Sequence, residues 1–131
     1  MANITSYDAK DCTVLVDNVF ITGLGEDMIS GEKDEDNVSP VVGAQGDIVA
    51  NKKNNSLGTI TLTVQGTSPQ RKHLDSLANS GKIFPIWVAN KSLDEKMGGT
   101  QAMMKKPASR EYGAELADRE YEIQVFDYTV E

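Results

Sequence analysis

The sequence holds one cysteine, Cys12, and one histidine, His73, in 131 residues. A lone cysteine excludes an internal disulfide and a cysteine-based metal cluster, and the apolar run Cys12-Thr13-Val14-Leu15-Val16 makes it read as a buried, inert thiol. His73 sits beside Arg71 and Lys72 with no nucleophile in sight, so a Ser-His-Asp or Cys-His constellation is not expected and a solvated helix residue is. Aromatics make up only 6% of the chain, which leaves an aliphatic core. No apolar run approaches the roughly 20 residues of a membrane helix. Met1-Ala2-Asn3-Ile4-Thr5 lacks the basic start, apolar stretch and cleavage site of a signal peptide, so the chain is expected to be made and kept in the cytosol, or to leave it by lysis.

Positive charge is scarce too: 13 basic against 20 acidic residues give a net charge of −7. Such a surface gains nothing by neutralising phosphates, and Arg71-Lys72 and Lys105-Lys106 are too short for a groove, so sequence-specific nucleic-acid binding is not expected. An acidic wall would instead let a polyanion pass without sticking. Of the acidic runs, Glu26-Asp27 and Asp34-Glu35-Asp36 lack the glycine and terminal glutamate of a calcium loop and read as solvated charged strand. Gly23-Leu24-Gly25 opens like a dinucleotide fingerprint, but Met28 takes the third glycine position. Without a phosphate loop, zinc spacing or nucleophile elbow, the reading is a non-enzyme with no cofactor, metal or catalytic residue.

What is present is mostly strand. Cys12–Val16 and Val19–Ile21 flank Asp17-Asn18 as a hairpin. From Met28 to Asn55 the chain reads as polar on both faces, a long hairpin in which Glu32 to Asp36 pair across from Lys52 and Lys53, with Gly43 and Gly46 supplying positive φ in the turn. A two-stranded ribbon of this kind is marginal alone and needs a neighbour. Leu57 to Gly66 alternates without a break, Ile60, Leu62 and Val64 against Thr59, Thr61 and Thr63. Thr67 or Ser68 as cap, Pro69 in the first turn, Leu74, Leu77 and Ala78 on one side and Gly81 as stop predict a helix over about 68–80. Ile83 to Ala89 is a second apolar strand in which Trp87 provides the largest single burial. Residues 91–113 read as a long loop, with one strand through Gln101 to Lys105. Tyr121, Ile123 and Val125 share one parity and Phe126, Tyr128 and Val130 the other, a phase change that a bulge would produce, as would a strand whose second half packs on something other than its own core. The sum is six or seven strands and one helix in a single domain over 1–131: an α+β, mainly β fold. With no catalytic constellation and a hairpin short of partners, the chain reads as a protomer.

Between Met28 and Leu77 the sequence resembles phage tail tube proteins of contractile tails and related contractile bacteriocin particles. The resemblance lies in Asp34-Glu35-Asp36-Asn37, the turn Val42-Gly43-Ala44-Gln45-Gly46-Asp47, the alternating Gly58-Thr59-Ile60-Thr61-Leu62-Thr63-Val64 and the helix start Thr67-Ser68-Pro69-Gln70. It implies two packed antiparallel β-sheets, sandwich- or barrel-like, with a flanking helix and a protruding hairpin. It also implies hexameric rings stacked into a hollow tube whose lumen is lined by strands of all six subunits. The implied partners are further copies of the chain, a sheath protein, a baseplate or tube initiator, a tape-measure protein and a tail terminator, with no membrane in the soluble form. The particle would assemble in a bacterial host cytoplasm and act outside it. Carried onto this sequence, Ile29, Glu32, Asp34, Asp36, Gly43, Gly46, Lys52 and Lys53 become the inter-subunit hairpin, and Thr59, Thr61, Thr63, Glu122 and Gln124 the lumen candidates. Lys91 to Gly113 does not align. The rival readings are the tube of a non-contractile tail or of a secretion system, and a soluble ligand-binding β-sandwich, against which the single Trp87 offers no aromatic platform.

Overall fold

A computed structural model describes residues 4–131. After a 3₁₀ turn at Ala9–Asp11, β1 (Cys12–Val16) and β2 (Val19–Phe20) form the expected hairpin. Asp17 and Asn18 take φ of 50° and 63°, the paired left-handed conformations that a tight two-residue turn needs to match strand twist, and side chains that tolerate them occupy both places.

The next strand departs from the sequence reading. β3 (Leu24–Lys33) pairs along β6 (Gly58–Val64), setting Glu32 opposite Thr59 and Ile29 opposite Leu62. The free hairpin is therefore shorter than 28–55, being only β4 (Val38–Val42) and β5 (Ile48–Lys52). Its ladder pairs apolar residues, Val41 with Val49 and Val42 with Ile48, rather than acid with base. In its turn Gly46 alone takes positive φ, 93°, while Gly43 donates its N–H to the Asp47 carbonyl at 2.7 Å.

The helix α1 (Arg71–Ser80) starts three residues later than expected, because one expected cap, Ser68, is engaged elsewhere, as is Gln70, which takes the N-cap position. Ser68 Oγ donates to the Thr22 carbonyl at 2.6 Å, and Gln70 Oε1 accepts from the Thr22 N–H and hydroxyl. Both tie the loop before the helix to the loop after β2 instead of capping. Gly81, at φ 66°, closes α1 in the left-handed conformation. Leu74 and Leu77 are buried beneath it, each contributing about 1.5–3 kcal/mol by removal from water.

β7 (Phe84–Asn90) lies between β1 and β8 (Glu95–Met104). Phe84, Ile86 and Val88 point inward, so Trp87 has the opposite parity: it is half-buried on the outside, with the Lys96 ammonium 4.2 Å from its ring centroid. The buried aromatics are Phe84 and Tyr121 instead. A ten-residue strand thus occupies Glu95–Met104 of the stretch expected as loop over 91–113, taking in most of the strand expected through Gln101 to Lys105 and starting six residues before it. Its Gly98-Gly99 is buried in regular register opposite Trp87 and Ile86 rather than being a loop signal, and the ladder with β7 shifts beyond it, between Gly99 and Ala102.

β9 (Arg119–Val125) pairs with β6 and with the end of β8, and β10 (Thr129–Val130) resumes along the start of β8. The interruption accounts for the phase change in the sequence, and Asp127 holds it. Its carboxylate accepts from the Thr100 N–H at 3.1 Å, the Gln101 N–H at 3.0 Å and the Thr100 hydroxyl. Burial opposes ionisation of Asp127, but these donors outweigh it and hold the carboxyl below its ordinary value. A group depressed in the native state stabilises above its unfolded pKa and loses that contribution as pH falls through the native value. Asp127→Ala is expected to cost about 1 kcal/mol at neutral pH, since the exposed Thr100 and Gln101 amides lose a charge-assisted partner but can turn to water. Thermal unfolding followed downward from pH 6 should show the gap between wild type and variant closing below about pH 4; a constant gap would mean that the carboxylate charge is irrelevant.

Among the described residues the protein is mainly β, with one α-helix and two antiparallel sheets: the β4–β5 hairpin and an eight-stranded sheet of order β2-β1-β7-β8-β9-β6-β3, with β10 also on β8. β2 and β3 do not pair, so no barrel closes. Ile60, Leu62, Val64, Ile86, Tyr121, Ile123 and Val125 are wholly buried on the inner face. The Tyr121 hydroxyl donates to Asp75 of α1 at 2.8 Å, which fixes the helix to the sheet, and Asp75 also pairs with Arg110 at 2.8 Å. Burial, then the Asp75 carboxylate, pushes the Tyr121 pKa up to about 12.

Candidate functional site: a polar sheet face and an orphan hairpin

The residues expected to face a lumen gather on the outer face of the large sheet. In the β6–β9 ladder Thr59 stands opposite Gln124 and Thr61 opposite Glu122, while the intervening Ile60, Leu62, Tyr121 and Ile123 fill the core. Because strand side chains alternate, this polar row follows from the burial of its neighbours. The third threonine, Thr63, has Glu120 as its partner, and Ser30 of β3 extends the row beside Thr61. Glu120 and Ser30 escaped the sequence reading because the lateral order of strands cannot be read from alternation within each one. Across the row, Lys105 approaches Glu122 at 3.9 Å, and Glu32 lies next to Thr59.

The hairpin candidates divide. Ile29 faces inward against the core and Glu32 belongs to the polar sheet face, so neither is part of the hairpin. Asp34 lies just after β3 and returns to that same face, accepting from Thr59 Oγ1 at 2.7 Å and Gln124 Nε2 at 3.0 Å. The hydrogen bond from Thr59 and then that from Gln124 hold its carboxyl below the ordinary value. The carboxylate thereby anchors the base of the hairpin to β6 and β9. Asp36 is exposed in the connecting turn, Lys52 closes β5, and the Lys53 N–H donates to the Asn37 carbonyl at 2.8 Å to seal the stem. Gly43 and Gly46 form the tip.

Sequence reasoning missed the character of the hairpin itself. Val38, Val41, Val42, Ile48 and Val49 are 46–69% exposed, and the two strands pack substantially only on each other. By register, Val38, Pro40 and Val42 share a face with Ile48, Ala50 and Lys52, whereas the other face carries Ser39, Val41, Val49 and Asn51. One face is therefore apolar almost to the stem. The runs Val38-Ser39-Pro40-Val41-Val42 and Ile48-Val49-Ala50 on either side of the glycine turn were the available signal, masked by the charges that flank them. His73, expected to be solvated, is half-buried with Nε2 3.3 Å from the Val16 carbonyl. Among the described residues no group of three or more His, Cys, Asp or Glu is placed to hold a metal ion.

An open, curled sheet with a polar outer row, one docked helix and an unpaired apolar hairpin has the form of a subunit of a tube-like assembly. The sequence-family model of the bacteriophage PhiTE tail tube protein matches residues 15–114, and the chain belongs to that family. No curated protein sequence matches it. Its fold is similar to the sheath/tube terminator of the PVC extracellular contractile injection system in its extended state (TM-score 0.75, 13% identity, covering 99% of each chain). It is also similar to the tube-terminating cap of the anti-feeding prophage (TM-score 0.71, 10% identity, covering 100% of this chain and 94% of that one). A third likeness is to a chain of the PVC sheath–tube complex in the extended state (TM-score 0.70, 14% identity, covering 96% of this chain and 91% of that one). The chain is thus a tail tube family member with the fold of tube and tube-terminating proteins of contractile injection systems.

Proposed function

We propose that the chain assembles with copies of itself into hexameric rings that stack as the hollow inner tube of a contractile phage tail or phage-tail-like bacteriocin. The observation that carries this is the hairpin: five large apolar side chains, all exposed, on strands that, among the described residues, pack substantially only on each other. Isolated two-stranded ribbons are marginal in water, and burial against a neighbour supplies the missing stabilisation. Repetition of one heterologous contact closes into a ring where its rotation allows. The row Thr59, Thr61, Thr63, Glu122 and Gln124 then turns to the lumen, where acidic and small polar groups leave a polyanion unbound. Sheath outside, initiator or baseplate at one end, terminator at the other and tape-measure within during assembly complete the particle, which is built in the host cytoplasm. Function resides in the strength of the interfaces, with no reacting group.

The likeness to two tube terminators over nearly their full length favours a second reading, in which the chain caps a tube as a single ring. Negative-stain electron microscopy of the purified protein over a concentration series, with light scattering alongside, separates the two. Stacked hollow tubes are expected; isolated rings at every concentration would establish the cap instead, and a persistent monomer would refute self-assembly.

A further inference from the structure

β1, β6 and β8 end, and β3, β7 and β9 begin, at the end of the sheet that α1 covers. Arg119 is the first residue of β9 and stands opposite Val64, the last of β6. It shares the inner face with Tyr121, whose hydroxyl reaches Asp75 of α1, so its side chain turns inward beneath the helix. Only 8% of Arg119 is exposed, and among the described residues it is the one charged side chain that lies in the buried set.

A buried cation ordinarily meets a counter-ion. Among the described residues Arg119 meets none, the ion pairs being Lys82–Asp17, Lys105–Glu122 and Arg110–Asp75. Asp75 has both oxygens engaged, Oδ1 by the Tyr121 hydroxyl and Oδ2 by Arg110. Asp118 and Glu120, the chain neighbours of Arg119, have the opposite parity and are exposed. The guanidinium is not sealed in, however: no buried side-chain nitrogen among the described residues is both cut off from solvent and unpartnered. The stem is therefore packed in the core while the donor fork opens at the surface. The first turn of α1 adds positive potential at this end, since it carries Arg71 and Lys72, no acidic residue and no side-chain cap.

We propose that Arg119 binds an oxyanion, a phosphate or carboxylate group, in its guanidinium fork at the α1 end of the sheet. A planar fork of donors on an immobilised stem matches two oxygens of such a group and loses little side-chain freedom on binding. The hairpin leaves the sheet at the opposite end, after Lys33 and before Gly58, so the site is separate from it and does not depend on self-assembly.

Inorganic phosphate is the first probe, with sodium chloride of equal ionic strength as the control. At about ten times Kd, phosphate should raise the Tm of the wild-type protein by about 5 °C over the chloride control, and the rise should saturate. Arg119→Met keeps an unbranched stem without the charge and should fold, because apolar replacement of a buried charge is often neutral or stabilising; it should lose the rise. Arg119→Lys retains charge without the fork and should keep only part of it. Acetate separates the sources: a rise equal to that with phosphate assigns the site to a carboxylate, and a rise with phosphate alone to a phosphate group. Wild-type protein gives a check that needs no variant. Phenylglyoxal should modify Arg119, read by mass spectrometry of proteolytic fragments, and phosphate at about ten times Kd should slow that modification about tenfold. Equal rises in Tm for wild type and Arg119→Met, or modification of Arg119 that phosphate does not slow, would overturn the site and leave the arginine as a stem that fills the core.

Discussion

Gly98→Ala should destabilise the fold by about 3 kcal/mol or more, lowering Tm by about 10 °C, although it adds one methyl group. Gly98 is buried on β8 at φ 142°, a conformation that alanine adopts only with strain. An added Cβ would overlap the carbonyl oxygen of Ile86 and lie 3.1 Å from Trp87 Cα. Both are backbone atoms of the strand paired directly with β8, so no rotamer change relieves the contact; the ladder itself would have to part. Gly99 compounds this, since a side chain there would displace the Asp127 carboxylate that holds the break between β9 and β10. Gly46→Ala is the control. It also has positive φ, 93°, but nothing lies within 4 Å, so its cost should be limited to backbone strain of about 1–2 kcal/mol. Chemical or thermal unfolding of the two variants, monitored by circular dichroism, would contradict the argument if their losses were equal.

The same double glycine explains why part of the fold was legible in the sequence and part was not. Where one face of a strand is core and the other polar, alternation declares it: Thr59 to Val64 and Tyr121 to Val125 could be read directly. The turn at Asp17-Asn18 was equally plain, because few residue pairs accept two left-handed conformations. β8 gave no such signal. Its Glu95-Lys96-Met97-Gly98-Gly99 half combines exposed charge with buried glycines, and glycine in a strand marks a close backbone approach that only the partner strand reveals. Trp87 was misplaced for a related reason: in Phe84-Pro85-Ile86-Trp87-Val88 both parities carry apolar residues, and the packing of Phe84 beside Ala102 decides which one is inside.

The candidate site was legible in its chemistry but not in its boundaries. Thr59, Thr61, Glu122 and Gln124 do share one face, since parity alone puts them opposite the core. Glu32 joins them only because β3 pairs with β6, a non-local contact with no local signature. In the hairpin, attention to charge hid the apolar residues. Asp34 turned out to bind the sheet rather than a lysine across the ribbon, and the carboxylates around it are stem rather than strand.

Replacing both Val42 and Ile48 with aspartate is expected to abolish assembly while costing the free chain only about 1 kcal/mol, from two carboxylates set opposite each other at an exposed hairpin tip. The two residues are register partners at the tip of the hairpin, 64% and 69% exposed, so in the free chain the new charges remain in water. In an assembled particle each wild-type side chain would contribute about 1.5–3 kcal/mol by burial. Each aspartate would forfeit that and would add the cost of desolvating a carboxylate with no partner, several kcal/mol more. The loss recurs at every subunit contact, and a ring that closes only when all its contacts form multiplies it. Thr61→Asp is the matched control: it adds charge to the polar sheet face opposite Glu122, and it should lower stability slightly through like-charge proximity but still permit assembly. Light scattering and electron microscopy of the variants, beside circular dichroism of each, would decide the matter. Tubes from the Val42→Asp, Ile48→Asp protein would show that the hairpin is dispensable, and loss of tubes from Thr61→Asp alone would transfer the interface to the polar face of β6 and β9.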